Sequence, residues 1–198
     1  MEPLFTVLKP ADYLTTRWSG GTTTQLTIAP EKAVYADRDF LWRVSSATVE
    51  LDESDFTPLP DYRRFISTVR GDMTLSHSGG APLTLRPGDI HEFDGGDDTH
   101  SIGRCTDFNL MLRKNRAEGE MRSFRFSGSA AYQAHQRAEM VLLYCAEGTA
   151  AVSAGPYRVR LAAGASLLAQ KAGGVSLGLS VEGSGMLMAA EAWRIGKE

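Results

Sequence analysis

Two stretches of this chain carry the same punctuation. Val69-Arg70-Gly71 leads through short apolar runs to Leu85-Arg86-Pro87-Gly88-Asp89, and Ala146-Glu147-Gly148 leads in the same way to Leu161-Ala162-Ala163-Gly164-Ala165. The copies lie about 77 residues apart, the scale of a domain rather than of one hairpin. Each interval between glycines has room for two strands and a tight connection, with glycine where the turn needs positive φ. The pattern predicts two similar β-barrels in tandem. It also places local chemistry in the first copy, because the second has lost nearly every polar group that could line a site.

The 20 glycines and 8 prolines are scattered singly among short apolar runs, as in an all-β chain with many turns. With 42% hydrophobic residues, 198 residues supply a core for one large β domain or two half-sized ones. The one charged, apolar-poor stretch, Lys114 to Glu120, is the expected linker, dividing an N-terminal domain (1–115) from a C-terminal one (116–198). The second domain is expected to act as a packing partner or homodimer surface.

Net charge is −3 and no dense basic cluster exists; Arg113-Lys114-Asn115-Arg116 is followed by Glu118 and Glu120. A nucleic-acid or anionic-membrane partner is therefore not expected. Met1-Glu2-Pro3 opens neither a basic nor a long apolar leader, and no run reaches the roughly 18 apolar residues of a membrane span, so the expected location is cytoplasmic. Cys105 and Cys145, without a CxxC pair, are expected to be reduced thiols. Cys145 reads as a small buried hydrophobe; Cys105, beside a polar stretch, could be reactive.

Period-2 alternation in Leu41 to Val49 puts Arg43, Ser45, Ala47 and Val49 on one face of a strand. Arg43 and Arg64 each sit inside a strand of mostly apolar or small neighbours, and a buried guanidinium demands an acidic or carbonyl partner. A ligand carboxylate would satisfy it; so would an internal carboxylate such as Asp107. Asp107 and Asn109 share one strand face and could hydrogen-bond the same ligand. Trp18 with Gly20-Gly21 reads either as a lid over a planar ligand or as a core aromatic capped by a turn. The histidines His77, His91, His100 and His135 include no HxH pair. Adjacent His91 and Glu92 point to opposite faces of a strand, so no metal site and no cofactor are expected. His77 and His100 read as surface residues, His100 in an exposed turn. No nucleophile elbow and no P-loop are present.

Short strands with a duplicated Pro-Gly-Asp-type turn resemble the cupin superfamily, small double-stranded β-helix or jelly-roll barrels. Four segments sharpen the resemblance: Trp18-Ser19-Gly20-Gly21-Thr22-Thr23; Phe40 to Ala47; Phe56-Thr57-Pro58-Leu59-Pro60 followed by Arg64 and Gly71; and Asp107-Phe108-Asn109-Leu110-Met111. In this order they look like the HutD/Ves family. The resemblance implies an all-β protein of two tandem cupin-like barrels lacking the usual metal ligands. It implies a bacterial protein associated with histidine utilisation or with stress response. Its partner would be a small acid, such as urocanate or a formylated glutamate. The expected ligand-binding set is then Trp18, Gly20, Gly21, Thr22, Arg43, Arg64, Asp107 and Asn109, with His91 and Phe93 flanking the barrel mouth. A cupin-type isomerase or hydrolase using His91 or Asp107, and a protein-interaction module, remain the alternatives.

Overall fold

The structure, a computed structural model, describes residues 3–170 and 175–196, so Met1 and Glu2 lie outside the described residues. Among the described residues it is built of strands and two short 3-10 turns. In chain order the strands are β1 (Leu4–Leu8), β2 (Leu14–Trp18), β3 (Gly21–Ala29), β4 (Trp42–Val49), β5 (Glu53–Asp55), β6 (Tyr62–Arg70), β7 (Met73–His77), β8 (Leu83–Leu85), β9 (Ile90–Asp94), β10 (Thr99–Ile102), β11 (Cys105–Arg113), β12 (Ala117–Gln133), β13 (Met140–Ala154), β14 (Tyr157–Ala162), β15 (Ser166–Gln170) and β16 (Gly178–Arg194).

The chain clusters into two compact units. One is Tyr13–Glu118; the other is Gly119–Arg194 joined by the N-terminal strand. The break at Glu118/Gly119 falls inside the expected Lys114–Glu120 stretch; the departure is at the N-terminus, whose strand goes with the second unit. β1 pairs antiparallel with β15, Leu4 opposite Gln170 through Leu8 opposite Ser166, so the first strand belongs with the last third of the chain. The linker itself is a tight turn at Lys114–Arg116 with Asn115 at φ 60°, and β12 begins at once at Ala117. Glu118 and Glu120 alternate with buried Ala117, Gly119 and Met121, the pattern of a strand with one wet face.

In the Tyr13–Glu118 unit one sheet runs β2-β3-β4-β11-β6-β9 and the other β5-β10-β7-β8. The three central strands of the first sheet are long and rich in Val, Thr and aromatic residues, which suit a pleated, buried surface. One face presents Val44, Phe108, Leu110 and Leu112, all at 0% exposure; the other carries the polar residues described below. The acidic segment Asp52–Asp55 contains β5, whose Ser54 hydroxyl meets that of Ser101 on β10 at 3.0 Å. The Gly119–Arg194 unit holds a sheet ordered β1-β15-β13-β16-β12, with β14 on β13, over an apolar cluster including Leu143, Leu161, Leu167 and Leu187. Each such side chain contributes roughly 1.5–3 kcal/mol by leaving water.

The repeat is present in the backbone. Gly71 and Gly148 have φ of 75° and 78°, Gly88 and Gly164 of 97° and 87°, a region that side chains with a Cβ rarely adopt. In the first copy the Gly88 amide donates to the Thr68 carbonyl, three residues before Gly71; in the second Gly164 donates to Cys145, three residues before Gly148. The bonds Asp89 to Arg86 and Ala165 to Ala162 close the same turn in each.

Candidate functional site

Register brings the polar residues together. Met111 on β11 lies opposite Arg43 on β4 and opposite Arg64 on β6, so the two arginines flank β11 at one level. Alternation then puts Ser45 and Ala47 on the Arg43 face, and Asp107 and Asn109 on the Met111 face, with Asn109 opposite Ser45. These side chains line a cavity of about 330 Å³ that also reaches Trp18, Tyr35 and Phe56.

Arg43 is 5% exposed and Arg64 6%. Arg43 is well held. Its Nε donates to Gln25 Oε1 at 2.9 Å, its Nη1 to Ser45 Oγ at 3.2 Å, and its guanidinium lies 4.2 Å from the Tyr35 ring centre. Arg64 is sandwiched between aromatic rings, 5.0 Å from Phe56 and 5.0 Å from Phe93, yet its Nε has no hydrogen-bond partner. Asn109 Oδ1 and Thr68 Oγ1 are likewise buried without partners. Among the described residues no ion pair joins either guanidinium to a carboxylate. Native interiors leave few such groups.

Asp107 is not a fixed partner for either arginine. Its Oδ1 accepts from the Ala47 amide at 2.8 Å, and its carbonyl accepts from Ser46 Oγ at 2.6 Å. Burial pushes its carboxyl up to about 6, against the opposing pull of the Ala47 amide and the two guanidiniums. Burial lowers Arg43 and takes Arg64 down to about 10, so both remain cationic at neutral pH. With Asp107 ionised, the cavity floor carries one net positive charge.

The Asp107 shift has a consequence for stability. The fold binds this proton more tightly than the unfolded chain, where the group titrates near 3.8. The group therefore favours the fold fully below about pH 4, and that contribution is lost as pH rises through about 6. A shift of about 2 units corresponds to about 3 kcal/mol. Chemical denaturation from pH 4 to 7 is expected to show that decline in wild type relative to Asp107→Asn; parallel profiles would remove the carboxyl from this environment.

The structure distributes the sequence-predicted residues unevenly. Arg43, Arg64, Asp107, Asn109 and Trp18 line the cavity, whereas Gly20, Gly21 and Thr22 do not. Thr22 faces away because alternation puts Thr23 on the cavity side. The glycines act on the hairpin: a Cβ on Gly20 would meet the Trp18 ring at 2.1 Å, and one on Gly21, at φ 149°, would meet the Thr48 carbonyl at 1.9 Å. His91 and Phe93 are absent from the lining; Phe93 backs Arg64, and His91 pairs with His77. His77 is thus half-buried rather than a surface residue. His100 lies in β10 rather than in a turn, and its Nδ1 meets Asp55 Oδ1 at the cavity rim at 2.8 Å. Cys105 is buried beside Met73 and its thiol is pushed up to about 12, which leaves it inert at neutral pH. Cys145 is buried and also free.

Reading from sequence missed Tyr35, Gln25, Thr16, Thr23 and Phe56 as lining or support. Tyr35 enters from a 3-10 turn, which leaves no periodic signal. Thr23 and Gln25 were legible in the alternation of β3. Among the described residues no three His, Cys, Asp or Glu side chains are grouped to hold a metal, and no helix is long and apolar enough to cross a membrane.

A family profile described as HutD matches residues 10–189. A conserved protein of unknown function from Pseudomonas aeruginosa PAO1 has a similar structure, with TM-score 0.83 and 23% identity over 96% of this chain and 99% of that one. HutD from Pseudomonas fluorescens SBW25, in a formate condition, gives TM-score 0.75 and 23% identity over 98% of this chain and 100% of that one. A bacterial pirin from Escherichia coli in complex with nickel(II) gives TM-score 0.65 at only 9% identity, covering 95% and 98% of the two chains. No curated protein matches in sequence.

Proposed function

This chain belongs to the HutD family, and we propose that it is a metal-independent binding protein for a small organic acid, held in the cavity of the Tyr13–Glu118 unit. The observation that carries this reading is Arg64: a cationic guanidinium, 6% exposed, lining the cavity and having, among the described residues, no ion pair and no hydrogen-bond partner for Nε. A buried charge left in that state costs free energy that an incoming carboxylate recovers. Arg43, pre-positioned by Gln25, Ser45 and Tyr35, supplies a second donor group across β11. Asn109 borders the same space, and Trp18 stands at its edge, 37% exposed, where its indole can cover a planar ligand. Apolar walls with a few converging polar groups suit a small metabolite.

The ligand class is an acid such as urocanate or formylglutamate, and the role is regulatory, through binding in histidine utilisation or stress response. Two cupin-like barrels remain the architecture we propose, the second a packing partner or dimer surface. Calorimetric titration tests the reading: the two acids are expected to bind at one site per chain, and their carboxamides at least about tenfold more weakly, since charged hydrogen bonds contribute about 1.5–3 kcal/mol. Equal affinity for acid and amide, or heat from neither, would sink it.

A further inference from the structure

His77 ends β7 and His91 lies on β9, and strand alternation turns them to the face that carries Met73, Leu75 and Phe93. Their Nε2 atoms are 2.9 Å apart. One arrangement of protons makes every surrounding contact a hydrogen bond. The Thr99 hydroxyl donates to the Asp97 carbonyl, which only accepts, so its single proton is spent. His77 Nδ1, 2.9 Å from that hydroxyl, must then be the donor to it. A neutral His77 therefore presents a bare Nε2, and His91 donates to it through Nε2–H. His91 Nδ1, which has no hydrogen-bond partner among the described residues, is where a first added proton goes without breaking any bond. A second proton would set N–H against N–H, so the pair has room for one.

The pair is tied to the cavity by one ring. Phe93 lies 4.7 Å from the His77 ring and 5.8 Å from the His91 ring, and the Arg64 guanidinium sits 5.0 Å from the same phenyl. The charged groups that act on the pair are Asp97 ahead of β10, Arg64 on β6 and, from the opposite face of β9, Glu92. Glu92 is engaged by Arg63 at 3.3 Å, so Arg64 is the charge that a ligand in the cavity would alter.

We infer that the His77–His91 pair is a one-proton site linked to the anion pocket through Phe93 and Arg64, so that a bound carboxylate and a bound proton each strengthen the other. This rests on reading the cavity as a carboxylate site. In the free protein, burial and, for His77, the Arg64 charge hold both imidazoles below their usual 6.5, leaving them neutral. Once His91 Nδ1 is protonated, the proton between the two Nε2 atoms can pass to His77, so the added charge is shared with the ring that Arg64 opposes; a carboxylate on Arg64 cancels that opposition and lets the pair accept its proton at higher pH. By reciprocity the acid binds more tightly as pH falls below 6.5. Asp107 pushes in the same direction, because an anion beside it raises its carboxyl further, so the test must separate the two.

Formylglutamate affinity, measured by calorimetry at pH 5.5 and 7.5, is compared between wild type and the double variant His77→Gln, His91→Gln, whose amides can keep the mutual hydrogen bond but cannot titrate. The expected result is a ratio of affinities between the two pH values about fivefold larger in wild type, the low end of ordinary site coupling. In parallel, imidazole nitrogen NMR at pH 7.5 is expected to show His77 as the Nδ1–H tautomer and His91 as the Nε2–H tautomer. An unchanged ratio in the double variant would assign the pH dependence to Asp107 and overturn the linkage while leaving the pocket in place; reversed tautomers would also overturn it. Absence of binding by both formylglutamate and urocanate at both pH values would remove the pocket reading and the linkage with it.

Discussion

Arg64→Met is expected to weaken carboxylate binding by on the order of 100-fold while leaving the melting temperature unchanged or higher. The two halves of this result have one cause. In the free protein the guanidinium is removed from water, its Nε unpartnered and no carboxylate among the described residues in ion-pair range. Methionine fills much of the same volume and its sulfur packs well against Phe56 and Phe93, the rings that now sandwich the charge. Replacing a buried, poorly compensated charge by an apolar side chain is often neutral or stabilising. Losing a buried charged donor from a bound carboxylate, by contrast, typically costs about 2–5 kcal/mol. Arg43→Met is the informative contrast, because it discards bonds to Gln25 and Ser45 and the stack on Tyr35 and should lower stability. If Arg64→Met instead melts several degrees lower, the guanidinium is structural and the binding loss says nothing about a ligand.

The largest effect on folding is expected in the other unit. Glu191 on β16 is 0% exposed and accepts from the Arg122 guanidinium, the Tyr132 hydroxyl and, at 2.7 Å, the His135 amide. All three donors serve one buried carboxylate, so its charge is fully compensated, unlike that of Arg64. Glu191→Ala would strand the Tyr132 hydroxyl proton, take the Glu191 acceptor from the His135 amide and leave Arg122 with its weaker contacts to Gln133 and Glu120. Breaking one side of such an arrangement costs about 3–5 kcal/mol. At this chain length that is a fall of roughly 6–20 °C in melting temperature. Glu191→Gln should fall between, since one oxygen is replaced by a donor facing donors. A loss below about 1 kcal/mol by chemical denaturation would contradict this account of the network.

How much of this was legible in the sequence depends on whether the signal was local. The Gly71/Gly148 and Gly88/Gly164 repeat foretold the turns, because positive φ at a fixed spacing is a local demand. The period-2 pattern of β4 foretold that Arg43, Ser45, Ala47 and Val49 share a face, and all four line the cavity. Strand pairing is not local. Nothing near Leu4–Leu8 says that its partner lies at Ser166–Gln170, so the first strand was assigned to the wrong neighbours. Nor does anything near His77 say that His91, fourteen positions on, will face it across a gap set by the packing of two sheets. Glu118 and Glu120 looked like a linker because a strand with one wet face and a solvated loop have similar composition. The open question about Arg43 and Asp107 needed side-chain geometry, which shows the carboxylate taken by the Ala47 amide.

The central claim is that the cavity of the Tyr13–Glu118 unit holds a carboxylate on its arginines. A crystal structure of the protein saturated with formylglutamate tests it most directly. The account predicts a carboxylate oxygen within hydrogen-bond distance of the Arg64 guanidinium, with Arg43 on the other side of β11 contributing a second contact and no metal between them. Ligand density elsewhere on the chain, or an empty cavity at saturation with Arg64 unmoved, would contradict it.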